Sequence, residues 1–390
     1  MDYNKKAIEM HAKWQGKIEV VPRCEINGRD DLSVAYTPGV ARPCVEIRDN
    51  PDLSYTYTRR GNMVAVISDG SAVLGLGNIG ALAAMPVMEG KCVLFKRFGG
   101  VDAFPIVLNT QDTDEIVKTV AAIAPSFGGI NLEDISAPRC FEVEERLKSM
   151  LDIPVFHDDQ HGTAVVVLAA VLNSLRLTGK RIEDLKICLS GPGAAGTAIT
   201  ELLIKCGVKE VILSDKDGII YDGKEGLDFK KRELAKITNF SKIKGGLKEA
   251  IVGADVFVGV SAPGILTEDM IKTMADKAVV FAMANPEPEI YPDKALAAGA
   301  FISGTGRSDF PNQVNNVLAF PGIFKGALKV RAKAISDNMK IAAAKALASL
   351  ISDEEIRPDY VLPSSLDPRA ADAVADAVAA AAVKEGLNRI

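Results

Sequence analysis

The stretch "KICLSGPGAAGTAITELLIKCGVKEVILSD", residues 186 to 215, restricts the fold of this chain more than any other. An apolar run leads straight into Gly191-x-Gly193-x-x-Gly196, an amphipathic segment follows, and a second apolar run ends at Asp215, 19 residues after the last glycine. A dinucleotide turn needs that order. The strand delivers the chain into a tight turn, and the next helix offers unpaired N–H groups to a pyrophosphate. An acid ending the following strand accepts hydrogen bonds from a ribose. Cofactor binding is therefore assigned to Gly191, Pro192, Gly193, Ala194, Ala195, Gly196 and Asp215. Buried-strand patterns recur at "ADVFVGVS", "AVVFAMAN" and "AFISGTG", so the fold class is α/β with a Rossmann-type, doubly wound parallel sheet.

The same glycine spacing occurs earlier, as Gly75-x-Gly77-x-x-Gly80, but in a different context. The strand pattern "MVAVIS" is separated from Gly75 by "DGSAVL", and the apolar run "KCVLF", read as the next strand, leads to Lys96 rather than to an acid. This first turn is read as a tight connection on the substrate side of a cleft, with Leu74 and Gly75 as substrate-side residues. Before it, the first 60 residues are polar and broken by Pro22, Pro38, Pro43 and Pro51, which predicts short helices and loops. After it, "AFPIVLN" and "GGINLEDI" read as strands, and "DTDEIVKTVAAIAPSF" and "RCFEVEERLKSML" as helices. The segment from residue 321 onward is Ala-rich and helical, a tail expected to pack back on the core or on a second subunit.

At 390 residues the chain is long enough for two or three domains. Its formal charge of -5, from 46 basic and 51 acidic residues, comes with no basic block, which excludes nucleic acid as an expected partner. The longest apolar run, "AVVVLAAVL" at 164 to 172, is about half of what a membrane span requires. No apolar leader opens the sequence, and a cytoplasmic protein without a membrane partner is expected. The six cysteines lie at least 18 residues apart, which rules out a zinc knuckle and predicts reduced thiols.

Two acidic pairs stand at strand ends: Glu133 and Asp134 in "NLEDIS", Asp158 and Asp159 in "FHDDQHGTA". Such oxygen donors suit Mg2+ or Mn2+, which retain water and leave positions for a chelating substrate. Acidic pairs are also common on surfaces, so spacing alone leaves the metal open. "HDDQH" has the histidine spacing of zinc peptidases, but Pro154 and a strand precede it and Gly162 follows, which argues against a helix spanning His157 and His161.

Together with "AYTPGVA" (35 to 41), "PVMEGKCVLFKRFGGVDAFPI" (86 to 106) and "NNVLAFPG", these motifs resemble malic enzyme of the short prokaryotic type, in the expected order from about residue 10 to about 340. The resemblance implies oxidative decarboxylation of L-malate to pyruvate and CO2 with NAD or NADP and Mg2+ or Mn2+. Matched motif by motif, it puts the metal ligands on Glu133, Asp134 and Asp159, the general base on Lys91, the general acid on Tyr36, and a tuning carboxylate on Asp158. Asn285 and Asn316 match substrate and nicotinamide-side asparagines. Lys91 would need a lowered pKa, from a nearby cation and partial burial. The implied organisation is an N-terminal α/β catalytic domain over 1–160, a Rossmann NAD(P)-binding domain over 161–325, and C-terminal helices over 326–390. A homodimer whose site is completed across the interface is implied too.

One position departs from the pattern of larger family members: Ala72 stands where they carry an arginine. Backbone N–H groups of the first glycine turn are the expected substitute anchor for the malate C1 carboxylate. Asp215 favours a ribose hydroxyl and hence NAD, while Lys216 or Lys224 could meet a 2'-phosphate, and use of both cofactors is expected. Side activity on oxaloacetate belongs to the same reading. Rival readings are a metal-dependent oxidoreductase of another 2-hydroxy dicarboxylate such as tartrate, and a non-catalytic NAD(P)-binding regulatory protein.

Overall fold

A computed structural model describes residues 3–73 and 75–390. The chain opens with four short helices, α1 (Tyr3–Trp14), α2 (Arg29–Ala35), α3 (Ala41–Asp49) and α4 (Ser54–Tyr57). They are held by local hydrogen bonds more than by packing, since no residue from 3 to 63 is buried.

Strand β1 (Met63–Ser68) starts the first sheet, and its side chains alternate between two cores. Val64 and Val66 enter the largest apolar cluster, while Ala65 and Ile67 pack on the other face, as a central parallel strand covered on both sides requires. Helix α5 (Ala81–Leu94), β2 (Asp102–Val107), α6 (Thr113–Ile123), β3 (Gly129–Leu132), α7 (Arg139–Met150) and β4 (Val155–His157) complete it. The sheet order is β2-β1-β3-β4, all parallel. "KCVLF" is not the strand expected from its apolar run: it forms the last turn of α5 and enters a π-helical turn. Phe95 decides this by packing edge-on against Phe320 and Phe324.

Helix α8 (Asp158–Thr178) connects the two sheets and is apolar around most of its circumference. It is long and apolar enough to cross a membrane, but 67% of its apolar window lies inside the protein, the property of a central core helix. The helix begins at Asp158 with His157, the last residue of β4, as its N-cap, so His161 is helical, His157 is not, and no helix spans the two, as expected.

The second sheet is built from β5 (Lys186–Ser190), α9 (Ala194–Lys205), β6 (Glu210–Asp215), β7 (Gly218–Ile219), α10 (Phe229–Ile237), α11 (Leu247–Ala250), β8 (Val256–Gly259), α12 (Glu268–Ile271), β9 (Val279–Ala282), α13 (Pro292–Ala297) and β10 (Ile302–Thr305). Its order is β10-β9-β8-β5-β6-β7, parallel except for the β6–β7 pair. The doubly wound expectation holds. Helices α14 (Phe320–Lys329), α15 (Asp337–Ser349) and α16 (Ala370–Lys384) return to α8 and the first sheet. Phe320, Phe324, Met339, Leu347 and Val374 share one core with β1, α8 and β5.

Candidate active site

The carboxyl ends of both sheets face one cleft of about 1530 Å3, the position at which parallel α/β sheets hold ligands. Glu133 and Asp134 follow β3, Asp159 opens α8 after β4, Lys91 projects from α5, and Asn285 and Asn316 line the cleft as well. Gly75 also lines it, at a point where an added side-chain carbon would stand 3.4 Å from Pro286. Leu74 lies outside the described residues. A second cavity, of about 770 Å3, is lined by Gly191, Pro192, Gly193 and Asp215 and shares Val260 and Ser261 with the cleft.

The acidic cluster is compact. Ligand oxygens of Glu133, Asp134 and Asp159 lie within 4.8 Å of one another. The Asp134 N–H donates to Asp159 Oδ2 at 2.8 Å, and Asp134 sits at φ 54°, a left-handed conformation uncommon outside glycine and often found where a site dictates the backbone. Its Oδ2 is buried without a hydrogen-bond partner. Burial and the neighbouring charges of Asp159 and Glu133 push the Asp134 carboxyl up to about 9. Glu133 is raised as well, by burial first and by Asp159. Hard oxygen donors, an orphaned carboxylate oxygen and mutual repulsion are what a divalent cation would relieve, so these residues fit one.

Lys91 is buried beside them. Its Nζ stands 2.6 Å from Asp158 Oδ2 and 2.8 Å from Glu133 Oε1, and 4.3 Å above the centre of the Phe320 ring. Burial disfavours the ammonium, but Asp158, Glu133 and Asp159 outweigh it, and the pKa moves up. The expected lowering rests on a bound cation; the carboxylates alone, Asp158 first and then Glu133 and Asp159 of the cluster, favour the ammonium. Asp158 Oδ2 also accepts from Asn316 Nδ2 at 2.6 Å, and burial raises its carboxyl to about 7. Gly162 is required here, since a side-chain carbon would overlap Asp158 Oδ1.

In the dinucleotide turn, Gly191 has φ 94° and its N–H donates to Ser214 O. A side chain at Gly196 would run into the Gly191 carbonyl, whereas Gly193 faces open space; the three glycines thus serve turn, packing and ligand approach. Asp215 ends β6 as expected, but its cationic neighbour is Lys231 of α10, Nζ to Oδ2 2.6 Å. Of the lysines read from the sequence, Lys216 lines the same cavity and gives its backbone N–H to Asp215, whereas Lys224 caps the carbonyls of Asp217 and Ile219.

Two further expectations change. Tyr36 is 68% exposed and is not among the side chains lining the cleft. In the first glycine turn, the N–H groups of Leu76, Gly77, Ile79 and Gly80 are bonded to Val73 and Gly70 carbonyls. These four are not available for a substrate carboxylate, so the expected anchor narrows to Gly75, which lines the cleft. Lys17, just beyond the end of α1, also lines the cleft. No motif marked it, because it belongs to a polar N-terminal stretch without periodicity. The zinc-peptidase reading fails on side-chain grounds: His161 has both ring nitrogens engaged, with Glu144 and Lys340.

A dinucleotide turn opening onto a carboxylate cluster with a buried lysine defines a metal- and NAD(P)-dependent oxidoreductase. The malic enzyme N-terminal domain family matches residues 15–148 and the malic enzyme NAD-binding domain family residues 160–385. The chain is 56% identical over its whole length to a bifunctional malic/malolactic enzyme of Bacillus subtilis, 95% of which it covers. It is 55% identical over 96% of its length to an NAD-dependent malic enzyme of Geobacillus stearothermophilus, covering 78% of that protein. The crystal structure of malic enzyme from Pyrococcus horikoshii superposes with a TM-score of 0.95 at 50% identity, covering 99% of this chain and 92% of that one. Relatives named NADP-dependent malic enzymes match too. The chain belongs to the malic enzyme family, whose reaction is the oxidative decarboxylation of malate with NAD or NADP and a divalent cation.

Proposed function

We propose that this chain converts L-malate to pyruvate and CO2 in the cleft between its sheets, with Lys91 as general base and Tyr36, from a second copy of the chain, as general acid. The observation that carries the reading is the Lys91 ammonium wedged between Asp158 and Glu133 at the edge of the three-carboxylate cluster. Glu133, Asp134 and Asp159 would hold the cation. When bound, that cation would supply a Lewis acid toward the C2 oxygen and cancel part of the field that keeps Lys91 protonated, and the dinucleotide would supply the hydride acceptor.

Lys91 removes the C2 hydroxyl proton, and Asp158, itself held by Asn316, fixes the direction of Nζ. Asn285 and Asn316 orient substrate and carboxamide without adding charge. After CO2 leaves, the Tyr36 hydroxyl protonates C3. That role needs a second subunit. The exposure of Tyr36, and of Tyr3, Ile8, Trp14, Val20, Val21 and Val34 in the same N-terminal segment, supports a homodimer formed through residues 3–63.

The same reading divides the chain at 160/161 and 325/326 and puts Gly191 to Gly196 against the pyrophosphate. Asp215 takes the ribose hydroxyls, with Lys231 able to turn to a 2'-phosphate, so both cofactors are used. Six free cysteines, three of them buried, agree with a cytoplasmic setting. The test is reduction of NAD+ and of NADP+ by L-malate with and without Mn2+, with pyruvate, lactate, tartrate and oxaloacetate reactions followed in parallel. NAD(P)H and pyruvate should appear in equal amounts and only with the metal. Turnover of tartrate in preference to malate would overturn the substrate.

A further inference from the structure

Malate brings two carboxylates into a cleft whose positive charge is scarce. Among the described residues lining it, the side chains able to carry a positive charge are Lys91, His11 and Lys17. Lys91 is committed to Asp158 and Glu133, and His11 Nδ1 is bonded to the Ala7 carbonyl. The first glycine turn has bonded four of its own N–H groups internally. Lys17 remains. Its backbone N–H donates to Glu89 Oε2 at 3.0 Å and its Nζ to the Pro86 carbonyl at 2.6 Å, so both ends of the residue are latched onto α5, the helix that carries Lys91. A side-chain carbon at Gly90, the neighbour of Lys91, would stand 3.6 Å from that Nζ. The ammonium therefore packs closely over Gly90, and both residues line the cleft. With one N–H on Pro86, two more donors are left for a ligand.

We propose that Lys17 is a substrate-binding residue that pairs with the C1 carboxylate of malate. This rests on the reaction proposed above. The choice of C1 follows from the chemistry: the C4 carboxylate departs as CO2, and an ion pair on it would oppose departure, whereas C1 keeps its charge through to pyruvate. An anchor on C1 holds substrate and product alike and keeps the C2 hydroxyl in register with Lys91.

The variants are Lys17→Gln and Lys17→Arg. A charge-assisted pair of this kind corresponds to a loss of about tenfold to a hundredfold on removal. Lys17→Gln should raise the malate KM, the malate Kd measured by calorimetry with Mn2+ and no dinucleotide, and the pyruvate inhibition constant by a common factor of that size. Its kcat should stay within about threefold, its NAD(P)+ Kd should not move, and Lys17→Arg should restore most of the loss. A tie that merely fixes α1 to α5 would lower Tm and kcat together and leave the malate-to-cofactor ratio alone, which overturns the proposal. Weakened malate with unchanged pyruvate binding overturns the C1 assignment. Wild-type protein that binds malate without oxidising it sinks the proposed reaction and not Lys17, whereas an unchanged malate Kd in Lys17→Gln sinks Lys17 with the reaction intact.

Discussion

Lys340 shows how far a single side chain can be held from the surroundings its chemistry favours. It is buried on α15, its Nζ 3.1 Å from His161 Nδ1 and 3.1 Å from Asp337 Oδ1. His161 in turn donates from Nε2 to Glu144, 2.9 and 3.0 Å from its two oxygens, and Glu144 also accepts the His157 N–H just ahead of Asp158 and Asp159. Burial above all pulls His161 down to about 3, so the ring is neutral and its two nitrogens have fixed roles. Burial, helped by nearby Lys148, pulls Lys340 from 10.5 down to about 7. The sign follows: charged Lys340 is disfavoured in the fold, the full penalty applies below pH 7, and it fades as pH rises toward 10.5. Lys340→Met removes that titration. Compared by urea midpoints, wild type should gain on the variant between about pH 6 and about pH 9. A stability difference that does not change with pH would contradict the buried ammonium. The sequence displayed His161 only as half of a histidine pair; nothing local pointed to a partner 179 positions away.

At the scale of elements, most helices and strands were legible because their apolar periods are clean and Gly or Pro punctuates them. The exception, "KCVLF", is a five-residue apolar run, too short for periodicity to separate strand from helix. Tertiary contact of Phe95 with α14 settled it. Helix α14 itself shows how local and tertiary preferences can oppose each other. Alanine in place of Gly326 would favour the helix by about 1 kcal/mol, yet the added carbon would overlap the Ala375 carbonyl on α16. The backbone contact should win. Gly326→Ala is expected to cost about 1–3 kcal/mol in urea unfolding, and a variant as stable as wild type would mean that α16 can move aside.

For the whole molecule, the open question is what covers residues 3–63. Sixty-one consecutive residues without one buried side chain cannot offset their own ordering entropy by packing within this chain. If a second copy supplies Tyr36, the two catalytic residues can be knocked out on different chains. Tyr36→Phe and Lys91→Met should each be nearly inactive as homodimers. Unfolded and refolded together in equal amounts, they should regain about a quarter of wild-type malate turnover, because half the dimers are mixed and each of those has one intact site. No recovery on mixing would return Tyr36 to its own chain's site or remove it from catalysis.

The sequence alone determined the dinucleotide half, since strand, glycine turn, helix, strand and Asp215 are contiguous and their geometry is local. It also brought the acidic pairs together, because each pair follows a strand, and strand ends in a parallel sheet share one edge. What depends on contacts between distant segments was decided by the tertiary structure. Lys231 reaches Asp215 from α10, carboxylates following β3 and opening α8 favour the Lys91 ammonium, and Tyr36 is left outside the cleft while Lys17 enters it. A motif fixes which chemical groups are present within a few residues; the charge, burial and partner that set what those groups do come from segments that only folding brings near.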